Sequence, residues 1–181
     1  MTTRVVLTYR DYEALPNDGR RYEIHEGELS VTPAPTPRHQ KLIGELYLRL
    51  VQHVKARGLG EVYLSPIDVI LGEATIVQPD LVFVDTARLG LVSHRGIEGA
   101  PTLAVEVLSP STTLIDRSTK LQLYARHGVP YYWIVDPEAR RIGVYRLAET
   151  AYALETTASG AAPVTLPPLP DLAFAPASLW G

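Results

Sequence analysis

The residue with the clearest chemical potential in this sequence is Glu106. It lies in the run 102–108, which is apolar except for its first residue and Glu106 itself. Side chains alternate between faces along a strand, so Glu106 shares a face with Ala104 and Leu108, and both faces look buried. A lone carboxylate there is destabilising by several kcal/mol unless it is paired, protonated or bound to a metal. The partner of Glu106 therefore decides what the protein does.

A second acidic residue, Asp80, follows Pro79 and opens the apolar run 81–84. If this strand and the Glu106 strand are neighbours, the two carboxylates can meet. Carboxylates held close together repel each other, and one pKa rises unless a divalent cation lies between them. The chain has no cysteine and only five histidines, so hard oxygen ligands favour Mg²⁺ or Mn²⁺ over zinc.

A helix predicted over residues 112–127 begins just beyond the Glu106 strand. Asp116, Lys120 and Tyr124 step by four residues and lie along one side of it. The first turns of this helix can lean over the carboxylate pair, with Lys120 reaching inward. An ammonium group there would neutralise negative charge developing on a phosphate, or orient an attacking water.

Structural roles compete with each of these interpretations. Glu106 could be paired with an arginine or lysine in the core, and Asp80 alone is more typical of a turn cap. On spacing alone, Asp116 and Lys120 are best explained as a surface ion pair worth a few tenths of a kcal/mol. Only their position after the Glu106 strand favours a functional role.

Composition indicates an ordinary globular protein, with 46% hydrophobic and 20% charged residues among 181. This length suits a single domain over 1–181: an N-terminal helix and hairpin (1–36), a core (37–147) and a C-terminal extension (148–181). A net charge of −3 means that any nucleic acid must be held by a local basic patch or a bound cation. No membrane span or secretory signal is recognisable, so we expect a cytoplasmic protein.

The predicted elements alternate between helices and strands. In order, they are a helix at 8–15, a hairpin at 22–32, a helix at 37–57, strands at 61–64, 67–71, 80–84 and 102–108, a helix at 112–127, and strands at 131–135 and 142–147. After Glu155 an Ala/Pro/Gly-rich extended tail is expected. This order predicts an α/β fold with a central mixed β-sheet flanked by helices and the Glu106 strand at its centre.

The acidic positions resemble a known signature. Pro79-Asp80 followed by Glu106-Val107-Leu108 is similar to the PD-(D/E)XK pattern of restriction-endonuclease-like nucleases. The chain also resembles the Uma-type endonuclease family of bacteria, in order and up to about Leu147. The stretches that carry this resemblance are residues 22–28, residues 37–40, residues 105–112 with Asp116, Lys120 and Tyr124, and residues 132–137.

The resemblance implies a restriction-endonuclease-like core that cuts DNA with Mg²⁺ or Mn²⁺. Asp80 and Glu106 would be the metal ligands, and the carbonyl of Val107 would contribute a third oxygen. The signature lysine is replaced by Leu108, whose apolar side chain has no charge to offer. In this family the lysine has moved to the following helix, so Lys120 would take its role.

Other residues are expected to support this site. Asp116 or Tyr124 would orient Lys120, and Glu28 is preferred to Glu23 as an outer carboxylate. His39 either supports the site or only bonds a backbone group. Contacts with DNA phosphates are expected from four basic residues, Arg38, Lys41, Arg117 and Arg126, and a homodimer would reach both strands.

Two alternatives remain open at this stage. One is an inactive module on the same fold that binds nucleic acid or a protein partner, which Leu108 and the modest overall charge favour. The other is hydrolysis of a different phosphate ester.

Overall fold

The computed structural model describes residues 5–180, which form three α-helices and fourteen β-strands. The α-helices are α1 (Tyr9–Glu13), α2 (Pro37–Arg57) and α3 (Leu121–Arg126). The strands are β1 (Arg21–His25), β2 (Glu28–Thr32), β3 (Gly60–Leu64), β4 (Val69–Gly72), β5 (Thr75–Val77), β6 (Leu81–Asp85), β7 (Val92–Ser93), β8 (Gly96–Ile97), β9 (Leu103–Val107), β10 (Tyr131–Asp136), β11 (Arg141–Ala148), β12 (Ala151–Ser159), β13 (Val164–Thr165) and β14 (Ala173–Phe174). A π-helix (Ile115–Lys120) leads into α3, and short 3₁₀ helices span Thr86–Leu91 and Pro176–Leu179.

A central sheet of six strands has the order β12-β11-β10-β9-β6-β3. Only β9 and β10 run parallel, and the other neighbouring pairs are antiparallel. All five residues of β9 are buried, as expected for a strand covered on both faces. The predicted α/β fold, with the Glu106 strand inside a mixed sheet, is therefore confirmed.

The two faces of β9 pack against different parts of the protein. Leu103, Val105 and Val107 lie in a cluster with the apolar stripe of α2, including Leu46 and Leu50. The opposite face carries Glu106, so Glu106 lies on the side that α3 and a second sheet cover. The long helix predicted over about 37–57 is confirmed, since Thr36 caps its start and Gly58 in the left-handed conformation ends it.

The second sheet has the order β2-β1-β5-β4-β8-β7. Its β1–β2 hairpin turns at Glu26 and Gly27, both with positive φ, as the sequence predicted. Strands β5, β7 and β8 were not predicted, because two or three residues are too short to show a periodic pattern. This sheet brings β1 close to the Glu106 face of the central sheet.

The expectation of an extended tail after Glu155 is wrong for its first part. Residues 151–159 form β12, which pairs with β11 along its length. Alanine and threonine dominate β12, so its apolar alternation is weak in the sequence. Further along, Leu166, Leu169 and Leu172 join the core under the central sheet.

The predicted helix 112–127 contains an irregularity. Its first part, Ile115–Lys120, is π-helical, and α3 continues from it to Arg126 before Gly128 ends the helix with a positive φ. A π-helical segment is rare and frequently lies at a functional site. None of the helices within residues 5–180 is long and apolar enough to cross a membrane.

Candidate active site

The antiparallel pairing of β6 with β9 brings Asp80 and Glu106 to the same end of the central sheet. Leu81 is paired with Val105, so Asp80 and Glu106 stand one position further along. The Val107 N–H donates to Asp80 Oδ2 at 2.8 Å, which fixes the Asp80 carboxylate against β9. Both side chains are almost completely buried, with 2% and 3% exposed.

Several hydrogen-bond donors surround the Asp80 carboxylate. Its Oδ1 accepts a hydrogen bond from Arg21 Nη1 at 3.1 Å, and its Oδ2 lies 3.3 Å from His39 Nε2. Burial on its own would raise the pKa of Asp80. The hydrogen bond from His39 and the positive charge of Arg21 outweigh burial and hold this pKa below its usual range. Asp80 is therefore ionised at neutral pH.

Glu106 has fewer compensating groups. Its Oε1 accepts hydrogen bonds from Lys120 Nζ at 2.8 Å and from the Tyr124 hydroxyl at 3.0 Å. Burial raises the pKa of Glu106 well above its ordinary value, and the nearby charges of Asp116 and Asp80 raise it further. The attraction of Lys120 offsets only part of this effect.

Lys120 lies among acidic groups and is 4% exposed. Its ammonium donates to Glu106 and also to Glu23 Oε1 at 3.0 Å, while Asp116 Oδ1 lies 3.9 Å away. Burial alone would lower the pKa of Lys120, but these three carboxylates raise it above the ordinary lysine value. The π-helix contributes directly here, because it carries Asp116 and Lys120 on the side that faces β9.

His39 stands in the first turn of α2, next to the Thr36 cap. Its Nε2 lies 2.8 Å from the Val107 carbonyl oxygen and close to Asp80, whereas its Nδ1 is buried without a hydrogen-bond partner. His39 thus contacts both a backbone group and the acidic cluster, so the two roles expected for it are not exclusive.

A cavity of about 270 Å³ opens onto these groups. One wall is the Pro-rich connector 33–36 and the other is the loop 109–112. The charged residues that line it are Arg21, His39, Asp80, Glu106, Asp116 and Lys120. The cavity gives a substrate group access to side chains that are otherwise buried.

Two charged residues of this cluster were not predicted, Arg21 and Glu23. Both lie on β1, where they share a face because they are two positions apart. Glu28, which was expected to serve as the outer carboxylate, is exposed on β2 and does not line the cavity. It is Glu23 on β1 that contacts Lys120 and takes the inner position.

The basic residues expected to meet DNA phosphates lie on the surface. Arg38 donates to Glu138 at 2.8 Å, Arg117 pairs with Asp136, and Arg126 pairs with Glu26. Lys41 is exposed. Three of these four cations therefore already have acidic partners, and a phosphate would have to compete for them.

The buried charges are out of balance. Four carboxylates, those of Glu23, Asp80, Glu106 and Asp116, face two permanent cations, Arg21 and Lys120. The acids thus outnumber these two cations, and because the pKa values of Glu106 and Asp116 are raised, both acids would gain from an added divalent cation. Oxygen donors of this kind fit Mg²⁺ or Mn²⁺.

Within residues 5–180, no three His, Asp or Glu side chains converge as a preformed metal site. A site made from two carboxylates, one backbone carbonyl and water molecules needs no third side chain. Asp80, Glu106 and the Val107 carbonyl supply those three oxygens at the cavity, so the residues present fit a divalent cation.

The mixed α/β fold of this chain matches that of a solved structure. It is similar to the crystal structure of a "putative nuclease belonging to DUF820" from Anabaena variabilis ATCC 29413, with a TM-score of 0.77 and 22% sequence identity over 96% of this chain and 97% of that chain. The model of the Uma2 family, described as "Putative restriction endonuclease", matches residues 9–177. The chain therefore belongs to the Uma2 family, and this membership supports a nuclease function in general. No curated protein matches the chain.

Proposed function

We propose that the protein is a metal-dependent endonuclease that hydrolyses phosphodiester bonds in DNA. The observation that carries this proposal is the cluster of four buried carboxylates, which includes Asp80 and Glu106, faces the two permanent cations Arg21 and Lys120, and lies beside an open cavity. An uncompensated acidic cluster is costly to bury and is retained where it binds a cation. Family membership supports the same chemistry.

In this proposal Asp80, Glu106 and the carbonyl of Val107 hold Mg²⁺ or Mn²⁺. When bound, such an ion lowers the pKa of its water and stabilises negative charge on a phosphoryl oxygen. Arg21 now occupies Asp80 Oδ1, and His39 lies against the Val107 oxygen. Both side chains would have to give up these contacts, and either could then bind the phosphate.

Lys120 is proposed as the cation that stabilises the transition state. A lysine ammonium has three N–H donors, and the hydrogen bonds to Glu23 and Glu106 use two of them. The third remains for a phosphate oxygen in the cavity. Asp116 and Tyr124 would orient Lys120, the first through charge and the second through its hydrogen bond to Glu106.

Lys120 also accounts for the missing signature lysine. Leu108 is 7% exposed and belongs to an apolar cluster with Ile134 and Leu123, so it has no part in the chemistry. Lys120 reaches Glu106 from the following helix instead. The same electrostatic role is thereby filled from a different element.

A second candidate is a non-catalytic module that binds nucleic acid or a protein. The observation that favours it is the pairing of Arg38, Arg117 and Arg126 with surface acids. Little unpaired positive charge then remains among these residues to attract DNA. In either case we propose a cytoplasmic protein, with a homodimer as the form that would reach both strands of a duplex.

Incubation of plasmid DNA with the protein and Mg²⁺, Mn²⁺ or EDTA separates these functions. We expect nicking only with a divalent cation, and its loss in Asp80→Ala, Glu106→Gln and Lys120→Ala. Lys55→Ala is the matched control, because Lys55 is an exposed lysine remote from the cavity. DNA binding without cleavage under any metal would favour the module. A phosphomonoester substrate, tested in parallel, covers hydrolysis of another phosphate ester.

A further inference from the structure

One buried carboxylate has no role in the proposed mechanism. Glu23 on β1 is 1% exposed, and its Oε1 accepts a hydrogen bond from Lys120 Nζ at 3.0 Å. The same oxygen accepts the backbone N–H of Gln78 at 2.6 Å, and Oε2 lies 3.0 Å from His25 Nε2. We propose that Glu23 is a positioning residue, which holds the Lys120 ammonium in place for the nuclease function proposed above.

The geometry explains why Lys120 needs a second anchor. A lysine side chain is long and flexible, and its ammonium is a compact charge with no preferred direction. A bond to Glu106 alone would leave Lys120 free to follow Glu106 wherever a metal draws it. A second bond to Glu23, almost equal in length to the first, fixes Nζ between the two strands that bear these acids.

Glu23 is itself held by the segment that carries Asp80. The N–H of Gln78 stands two residues before Asp80, so one stretch of backbone places both Asp80 and the anchor of Lys120. Arg21, on the same face of β1, contacts Asp80 and the Gln78 carbonyl. Strand β1 of the second sheet therefore sets the position of Lys120 relative to the acids of the central sheet.

The charge of Glu23 is compatible with this role. Burial would raise the pKa of Glu23, but Lys120, His25 and Arg21 together lower it below its usual range. Glu23 therefore stays ionised and keeps its attraction for Lys120. Glu106 differs, because Asp116 and Asp80 oppose its ionisation.

The reactivity of lysine amines tests the proposal without any metal or DNA. The chain contains three lysines, Lys41, Lys55 and Lys120, and only Lys120 is buried. Glu23→Gln keeps the shape of the side chain but removes its charge. With an amine-acylating reagent and peptide mass spectrometry, we expect acylation of Lys120 to become about tenfold faster, because without its charge-assisted hydrogen bond to Glu23 the amine leaves its anchored position more often. Lys41 and Lys55 should react as in the wild type.

Two further variants separate charge from stability. Glu23→Asp keeps the charge on a shorter side chain, so we expect a smaller increase in Lys120 acylation, and this variant carries the test if Glu23→Gln does not fold. Asp85→Asn removes a partly buried carboxylate that bonds Thr102 and Arg88 away from the cavity. We expect Asp85→Asn to leave Lys120 acylation unchanged even where it lowers the melting temperature.

Cleavage kinetics give a second readout. Outer partners of metal ligands contribute about 10–100-fold in activity, and we expect Glu23→Gln, which removes the outer partner of Lys120, to lower kcat by a comparable factor with an unchanged KM. Unaltered Lys120 acylation in a folded Glu23→Gln protein would overturn the proposal. If the wild type cuts no DNA while Glu23→Gln still unmasks Lys120, the nuclease function fails and the positioning of Lys120 stands.

Discussion

The cavity has two sides, and each carries a buried carboxylate whose charge is compensated in a different way. On one side, Asp80 receives Arg21, His39 and a backbone N–H, and its pKa is lowered. On the other side, Glu106 shares Lys120 with Glu23 and lies near further acids, and its pKa is raised. Two carboxylates on neighbouring strands, almost equally buried, are therefore pushed in opposite directions.

This difference shows that burial alone does not determine the state of an acid. The number and sign of its neighbours decide whether the charge is tolerated. Pairs of titratable groups whose environments separate their pKa values are a recurrent feature of active sites. Here the separation identifies the Glu106 side as the part of the cluster that gains most from an added cation.

The largest loss of stability is expected for a substitution on the Glu106 side of the cavity. Lys120→Met removes the ammonium and leaves Glu106 and Glu23 buried without it. Loss of one partner from a buried ion pair is destabilising by about 3–5 kcal/mol, and urea unfolding at pH 7 measures this. The exposed lysine variant Lys55→Met is the control. A loss below about 1 kcal/mol for Lys120→Met would mean that the pair is not buried in solution.

A smaller effect is expected on the Asp80 side. Arg21→Met removes one donor from Asp80, but His39 and the Val107 N–H remain. An unsatisfied buried acceptor costs about 1–3 kcal/mol, so the same unfolding experiment should give a loss in this range. If Arg21→Met lowered the free energy of unfolding as much as Lys120→Met, the Asp80 and Glu106 sides would depend equally on their cations.

The pH dependence of stability should differ in sign between the two acids. The lowered pKa of Asp80 means that its stabilisation is present above pH 3.8 and is lost as the pH falls through its folded pKa. The raised pKa of Glu106 means that stability falls as the pH rises from 4.5 towards its folded pKa, because the unfolded state loses that proton first. Each pKa unit corresponds to about 1.4 kcal/mol.

Urea unfolding measured between pH 3 and pH 8 in EDTA tests this difference. The pH range begins about one pKa unit below the ordinary pKa of aspartate and ends more than one unit above that of glutamate. Asp80→Asn should flatten the acid limb of the stability curve, and Glu106→Gln should flatten the limb above pH 4.5. Flattening of the same limb by both changes would show that the two sides titrate alike.

The smallest effect is expected at the surface, outside both sides of the cavity. Arg126 pairs with Glu26, and both side chains are at least half exposed. Surface ion pairs contribute about 0–1 kcal/mol, so Arg126→Ala should change the free energy of unfolding by less than about 1 kcal/mol. A larger loss would mean that exposed and buried ion pairs contribute alike to the stability of this protein.

Several residues of the candidate site are indicated by the sequence alone. A carboxylate inside the apolar run 102–108 indicated a buried, covered strand, and the proline before Asp80 placed a second acid at the start of another. The spacing of Asp116 and Lys120 is also that of a surface ion pair, and only their place after the Glu106 strand, with Tyr124 one turn further on, predicted a helical side that faces the two acids. These patterns are local, and local patterns are what a sequence displays directly.

The counter-charges could not be predicted in this way. Glu23 meets Lys120 across 97 positions of sequence, and Arg21 meets Asp80 across 59. Whether Glu23 or Glu28 lies inward depends on which strand of the hairpin joins the second sheet, and the short strand β5 that fixes this pairing has no periodic signal. Strand β12 was not predicted for a similar reason, because its apolar alternation is weak in the sequence. Its place in the sheet follows from its pairing with β11.

Diffraction from crystals soaked in Mn²⁺, recorded at the manganese absorption edge, shows whether this cluster binds a divalent cation. We expect one anomalous peak between the Asp80 and Glu106 carboxylates and near the Val107 carbonyl, with Arg21 moved away from Asp80. An empty cavity in which Arg21 still binds Asp80 and Lys120 still bridges Glu23 and Glu106 would contradict this expectation, because the cluster would then be a purely structural set of ion pairs.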